Sequence, residues 1–250
     1  MRKTTRPGRD AKAPKQGTAM SEEAALFERR DDEIPDTRDL RPLTPEERAD
    51  VAEAVRVMNA GGIIVYPTDT IWGIGCDAAN DEAVRRVFEI KRRSDSKALI
   101  SLVDSEAKVQ FYVPDVPDVA WDMMELAERP MTIVFDRVRN LAPSLLAADG
   151  SAALRVTREA FSRELCRRFK RAVVSTSANF SGEASPACFD DINPDLLALA
   201  DYVVRSRRDE KAPARPSSVV KLGADGLQLT CFTHQNSSNC LLVHSFTLYI

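Results

Sequence analysis

Apolar and polar positions recur along this chain at two periods, which alternate. Thr44-Pro45-Glu46-Glu47 opens the first element with a helix start: a capping hydroxyl, a proline at the first helical position and a glutamate three residues after the cap. Val51, Val55 and Met58 then fall on one face, and Gly61-Gly62 stops the helix. Ile63-Ile64-Val65-Tyr66 is a short apolar run closed by Pro67, the pattern of a buried strand. The same alternation predicts a helix near 81–91 (Val84, Val87, Phe88), a strand at 98–103, a helix near 117–127 and strands at 131–135 and 152–156. A helix at 159–169, a strand at 172–175, a short helix after Pro194 and a strand at 202–204 follow. A last pair of strands is predicted near 217–222 and 227–230, around the turn from Gly223 to Gly226. Helices interleaved with short apolar strands predict an α/β fold, with one sheet covered by helices.

Both ends of the chain lie outside this pattern. Residues 1–20 carry a net charge of +5 and residues 21–50 a net −6, with no periodic apolar face before Thr44. Residues 1–43 therefore read as a flexible leader, and Met20 is an alternative start. From Gly226 to Ile250 there is no Asp, Glu, Lys or Arg, although 29% of the whole chain is charged. That stretch reads either as an added hairpin or as a foreign or frame-shifted end. The expected division is a leader at 1–43, a globular domain at 44–230 and an atypical uncharged tail at 231–250, which is left out of functional argument.

Composition removes several classes of chemistry. With 250 residues, 44% of them hydrophobic, the chain can bury a sizeable core and is not a disordered or fibrous protein. A formal charge of −3 gives no overall pull toward nucleic acid or an anionic membrane. No run approaches the roughly 20 apolar residues of a membrane span. The five cysteines are odd in number and include no Cys-x-x-Cys pair, as expected of reduced thiols in a cytoplasmic protein. The only histidines are His234 and His244, in the tail, so neither a zinc site nor His-assisted nucleophilic catalysis is expected.

Three clusters remain as candidate chemistry. Pro67-Thr68-Asp69-Thr70 and Gly73-Ile74-Gly75 follow a buried strand, the place where open α/β sheets bind ligands. They fit a plain strand-to-helix turn, or backbone N–H groups opened to an anion by the two glycines. No Walker A or dinucleotide fingerprint is present, since Ala78 stands where a third glycine would be needed. Lys91-Arg92-Arg93 and Lys97 close a helix, as ordinary capping cations or as a clamp for phosphate. Ser175-Thr176-Ser177-Ala178-Asn179 fits a helix cap, or a set of neutral hydrogen bonds to a polar small molecule. Arg155, Arg158 and Pro216-Ser217-Ser218 add further anion-binding groups.

In order and spacing, the run from Gly61 through Pro67-Thr68-Asp69-Thr70 to Gly73-Ile74-Gly75-Cys76-Asp77-Ala78 resembles the opening motif of the YrdC-like threonylcarbamoyl-AMP synthases. Lys91-x-Arg93 with Lys97 resembles their basic motif, Ser177-Ala178-Asn179 their Ser-x-Asn motif, and Pro216-Ser217-Ser218 their closing strand. The likeness covers about residues 44–229. It implies a single α/β domain of YrdC/RibB-like fold, a twisted mixed β-sheet with surrounding helices and a concave basic cleft. It also implies a reaction of L-threonine, bicarbonate and ATP that yields threonylcarbamoyl-adenylate and pyrophosphate, for transfer to tRNA by a separate threonylcarbamoyl-transferase complex.

By the same resemblance, Thr70, Arg155, Ser177 and Ser217 would hold threonine, with Arg155 on its carboxylate. Arg93, Lys97, Ser151 and Asn179 would hold ATP, and Lys91 with Arg93 would supply catalytic positive charge. Magnesium would arrive with the triphosphate, and contact with tRNA would be weak. The chain departs from the family pattern at Ala98, Leu102, Ala187 and Thr230. Two other readings compete: a double-stranded RNA or tRNA-binding module of the same fold, and a relative that activates another carbamate. The net charge, and the absence of aromatics between the basic residues, weigh against the first.

Overall fold

The helix start at Thr44 forms as its residues dictate. Thr44 Oγ1 accepts the Glu47 N–H at 3.1 Å, and the Glu47 carboxylate accepts the Thr44 N–H at 2.8 Å. Helix α1 (Pro45–Asn59) buries Val51, Ala54 and Met58. It ends at Gly61, whose φ of 80° belongs to the left-handed region that favours glycine. Asn80 caps α2 (Asp81–Ile90), which buries Val84, Val87 and Phe88. The structure is a computed structural model that describes residues 41–92, 99–211, 217–222, 228–234 and 241–247. The leader through residue 40, Met20 included, and the basic residues Arg93 and Lys97 lie outside the described residues, as does Ala98.

After α2 come α3 (Glu106–Tyr112), α4 (Asp118–Leu126), α5 (Ala160–Phe169) and the short α6 (Pro194–Ala198). The strands are β1 (Ile64–Tyr66), β2 (Gly73–Gly75), β3 (Ile100–Val103), β4 (Met131–Phe135) and β5 (Ala152–Val156). They continue with β6 (Val173–Ser177), β7 (Tyr202–Val203), β8 (Ser218–Leu222), β9 (Gln228–His234) and β10 (Leu241–Thr247). All ten join one sheet in the order β10-β9-β8-β4-β5-β3-β6-β2-β1-β7. The pairings β3–β5, β4–β8 and β1–β7 are parallel and the others antiparallel, so the sheet is mixed. Its core holds Tyr66, Phe135, Phe161, Ile64, Ile74, Leu102 and Leu154, all nearly or fully buried.

Several expectations need correction. Gly73-Ile74-Gly75 is a strand, not a loop, and pairs with β1 and β6. Strand β6 runs through Ser177, so Ser175, Thr176 and Ser177 belong to the sheet. Helix α3 was not expected; it is seven residues long and buries only Val109 and Tyr112, too little to show a period. Part of the uncharged tail forms a hairpin: β9 and β10 pair antiparallel from Leu241 opposite His234 to Thr247 opposite Gln228. The sheet thus runs on past residue 230.

One electrostatic consequence of the fold is testable. Hydrogen bonds from Arg41 hold the Glu47 carboxyl down, from an ordinary 4.5 to about 2. A carboxyl depressed on folding contributes stability above its unfolded pKa and loses it as pH falls toward the folded value. The Glu47 contribution is therefore complete above about pH 4.5 and disappears toward pH 2. The gap in urea midpoint between the native protein and Glu47→Gln should hold from pH 6 to about pH 4.5 and narrow from there to pH 2. A gap independent of pH would refute this account.

Candidate active site

Ladder neighbours share a sheet face, and the register sorts the candidate residues accordingly. Ile100 lies opposite both Ser175 of β6 and Ala153 of β5, and Gly73 lies opposite Ser177. Two positions along β5, Arg155 points to the same face, and continuing the β4–β5 ladder by one residue puts Thr132 opposite it. Gly73, Ser175, Ser177, Arg155 and Thr132 therefore stand on one face. Leu102 lies opposite both Arg155 and Val173, so Ser177 is four residues farther along than Arg155. At the rise of a strand that is roughly 13 Å. The face has two ends.

At one end Arg155, 4% exposed, sets its guanidinium 2.9 Å from Asp69 Oδ1. Ser217 Oγ stands 3.1 Å from the hydroxyl of the buried Thr132. The Asp69 loop is tied by its own hydroxyls. Thr68 Oγ1 accepts the Thr70 N–H at 3.1 Å and donates to the Ile71 carbonyl at 2.7 Å, and the Thr68 and Thr70 hydroxyls are 3.1 Å apart. This loop borders a cleft of about 390 Å³ whose lining includes Thr70, Asp69, Arg129, Glu159, Arg207 and Ser218. Ala187 lines it too. The described lining carries both signs of charge, Asp69, Glu159 and Glu210 with Arg129 and Arg207.

At the other end Lys91, 2% exposed, closes α2 and reaches the 177–179 segment. Its ammonium donates to the carbonyls of Ser177 and Asn179, the latter at 2.8 Å, and lies 3.3 Å from Asn179 Oδ1. Ser177 Oγ donates to Asn179 Oδ1 at 2.5 Å, and Asn179 Nδ2 donates to the Glu183 carbonyl at 2.8 Å. Ser151 is buried just before β5, its N–H on Asp149 Oδ1 at 3.0 Å. No contact between its side chain and the other candidates is seen among the described residues. Thr70 and Arg155 thus share the Asp69 loop, and Lys91, Ser177 and Asn179 are in direct contact.

Two expectations change here. Arg158 is not a free anion-binding group: it donates to the carbonyls of Met124 and Ala127 at the end of α4 and pairs with Glu106 at 3.1 Å. Gly75 faces no open anion site either. A Cβ there would stand 1.9 Å from the Val174 carbonyl oxygen, so glycine lets β2 lie against β6. Leu102, one of the departures from the family pattern, is wholly buried.

Sequence reasoning gave no role to Asp69, Thr132, Glu159 or Arg207. Asp69 lay inside a quoted motif, and that was its only signal. Glu159 caps α5 by accepting the N–H groups of Phe161 and Ser162, each at 2.8 Å, and pairs with Arg207; burial pushes its carboxyl above the ordinary carboxylate range. No group of three or more His, Cys, Asp or Glu among the described residues could hold a metal ion. No helix among them is long and apolar enough to cross a membrane.

A family model for the Sua5, YciO and YrdC proteins, described as "Telomere recombination", matches residues 56–230. The chain belongs to the Sua5/YciO/YrdC family. A relative in that family, the threonylcarbamoyl-AMP synthase of Pseudoalteromonas translucida, is 34% identical over 140 residues, 55% of this chain and 75% of the relative. Among solved structures, Escherichia coli YciO superposes with a TM-score of 0.65 at 20% identity, over 82% of this chain and 93% of that one. Pyrococcus abyssi Sua5 complexed with L-threonine gives 0.62 at 22% identity, over 72% of this chain. The match spans only 52% of that Sua5, so this chain corresponds to about half of it. These two likenesses establish the Sua5/YciO/YrdC fold.

Proposed function

We propose that this chain joins L-threonine, bicarbonate and ATP into threonylcarbamoyl-adenylate and releases pyrophosphate. A separate transferase complex would then pass the threonylcarbamoyl group to tRNA, which this chain touches weakly. The observation that carries the reading is the two-ended sheet face. A buried guanidinium paired to a hydroxyl-bearing loop and an Asn179–Ser177–Lys91 cluster rise from the same sheet face, the backbone positions of Arg155 and Ser177 offset by roughly 13 Å along the strands. An amino acid and a nucleotide need such a pair of holds to meet. The relatives that bear the synthase name support the same choice.

In this scheme Arg155 takes the threonine carboxylate, a match of planar fork to planar anion. Thr70 and Ser217 offer hydroxyls to the rest of the amino acid, and Ser177 contributes where the two substrates meet. Asn179 and Ser151, with Arg93 and Lys97, hold the nucleotide. Magnesium would enter as part of the MgATP substrate and offset the charge of its phosphates. The threonine amine adds to carbon dioxide with loss of a proton, or to bicarbonate with loss of water, and an oxygen of the resulting carbamate attacks the α-phosphorus while pyrophosphate leaves. Such a transfer depends on positioning and on stabilising charge, so a site without histidine suffices.

The test is pyrophosphate release with each substrate omitted in turn. Release should require threonine, bicarbonate and ATP together. Equal release without threonine would reject the reading, and serine replacing threonine at equal rate would point to a relative with another amine substrate.

A further inference from the structure

The pair between Asp69 and Arg155 leaves hydrogen-bonding capacity unmet beside two hollows that Asp69 borders. The side chains are 10% and 3% exposed, and the two groups approach to 2.9 Å. Even so, Asp69 Oδ1 and Arg155 Nε are both buried without an aligned hydrogen bond among the described residues. A buried ion pair offsets its desolvation only when its remaining donors and acceptors are also satisfied. Asp69 borders two hollows, one of about 390 Å³ and one of about 280 Å³, which share Arg129, Pro130 and Glu159 in their walls. The smaller is otherwise largely apolar, with Met124, Ala127, Met131 and Val156.

We propose that Asp69 and Arg155 form a two-point receptor for the zwitterion of an α-amino acid, with Asp69 holding the α-ammonium group. This rests on the reading above that an amino acid is the substrate, and adds the group that recognises its nitrogen. The ligand supplies what the pair lacks: an ammonium donor for Asp69 Oδ1 and a carboxylate acceptor for Arg155 Nε. The hydroxyl ties of Thr68 and Thr70 fix the backbone on both sides of Asp69, so its carboxylate is already in place. Asp69 is thereby the residue that selects an amine-bearing acid over a plain hydroxy acid.

Calorimetric titration without ATP or bicarbonate tests this, with threonine, threoninol (no carboxylate) and 3-hydroxybutyrate (no amine) as ligands. The native protein should bind threonine at least about 10-fold more tightly than 3-hydroxybutyrate, the size of one charge-assisted hydrogen bond. Asp69→Asn should weaken threonine and threoninol by about 10-fold and leave 3-hydroxybutyrate within about twofold. Equal losses for threonine and 3-hydroxybutyrate would mean that Asp69 only positions Arg155, and would overturn the proposal. Tighter binding of both would mean that Asp69 blocks the site, and would overturn it too.

If Asp69→Asn does not fold, as judged by circular dichroism, the native protein decides alone, and 3-hydroxybutyrate binding as tightly as threonine overturns the proposal. Failure of the synthase reading looks different. The native protein would prefer serine or alanine, or release no pyrophosphate, while the dependence on an amine persists and supports the receptor.

Discussion

Lys91→Met should lower the rate of pyrophosphate release about 100-fold, the size of effect that a displacement of about 1 Å produces at a reacting centre. The substitution keeps the length of the side chain and removes its charge. Lys91 is buried, and its ammonium gathers the carbonyls of Ser177 and Asn179 and the Asn179 side chain around one point. The join is reinforced on both sides: the Ser181 N–H donates to the Lys91 carbonyl at 2.9 Å, and the Arg92 guanidinium lies 4.4 Å from the centre of the Phe180 ring. Without the ammonium, three acceptors lose a charged donor, and Asn179 is free to turn away from its proposed place against the nucleotide. The stability cost is about 3 kcal/mol, from a few charge-assisted hydrogen bonds. Lys91 acts through Asn179 as a positioning residue, so kcat should fall while the KM for threonine stays near native. Native turnover in a folded Lys91→Met protein would remove Lys91 from the mechanism.

The periodic elements were legible because burial itself imposes the period. Helix α2 shows Val84, Val87 and Phe88 on one face, and β1 reads as an unbroken apolar run because every residue in it is buried. Where little side chain is buried, the sequence is silent, which is why the Gly-Ile-Gly of β2 and the seven residues of α3 escaped. The candidate groups were legible by residue type: guanidinium, hydroxyl and amide groups in three clusters. Their grouping was not. Nothing local to Asp69 shows that it faces Arg155, because that meeting is set by ladder register through β3 and β5 and by the arch of the 67–72 loop. Arg158 misleads for the same reason, since a cation beside a strand end looks alike whether it caps a helix or awaits an anion.

The glycines of β2 illustrate how a motif residue can be read for the wrong cause, and Gly75→Ala separates the causes. A methyl group there would meet the Val174 carbonyl oxygen at 1.9 Å, and a real Cβ does not approach so close. That oxygen belongs to a fully buried strand residue and already accepts the Tyr66 hydroxyl at 3.1 Å, so it has nowhere to move. Overpacking of this kind costs about 3 kcal/mol, which lowers the Tm of a domain this size by roughly 10 °C. The Tyr66 hydroxyl then loses its acceptor as β2 and β6 part. If Gly75 instead served to bring its N–H to a phosphate, alanine would leave the melting temperature near native and raise the KM for ATP. A Gly75→Ala protein that melts within about 2 °C of native would show that β2 and β6 are not pressed together at this point.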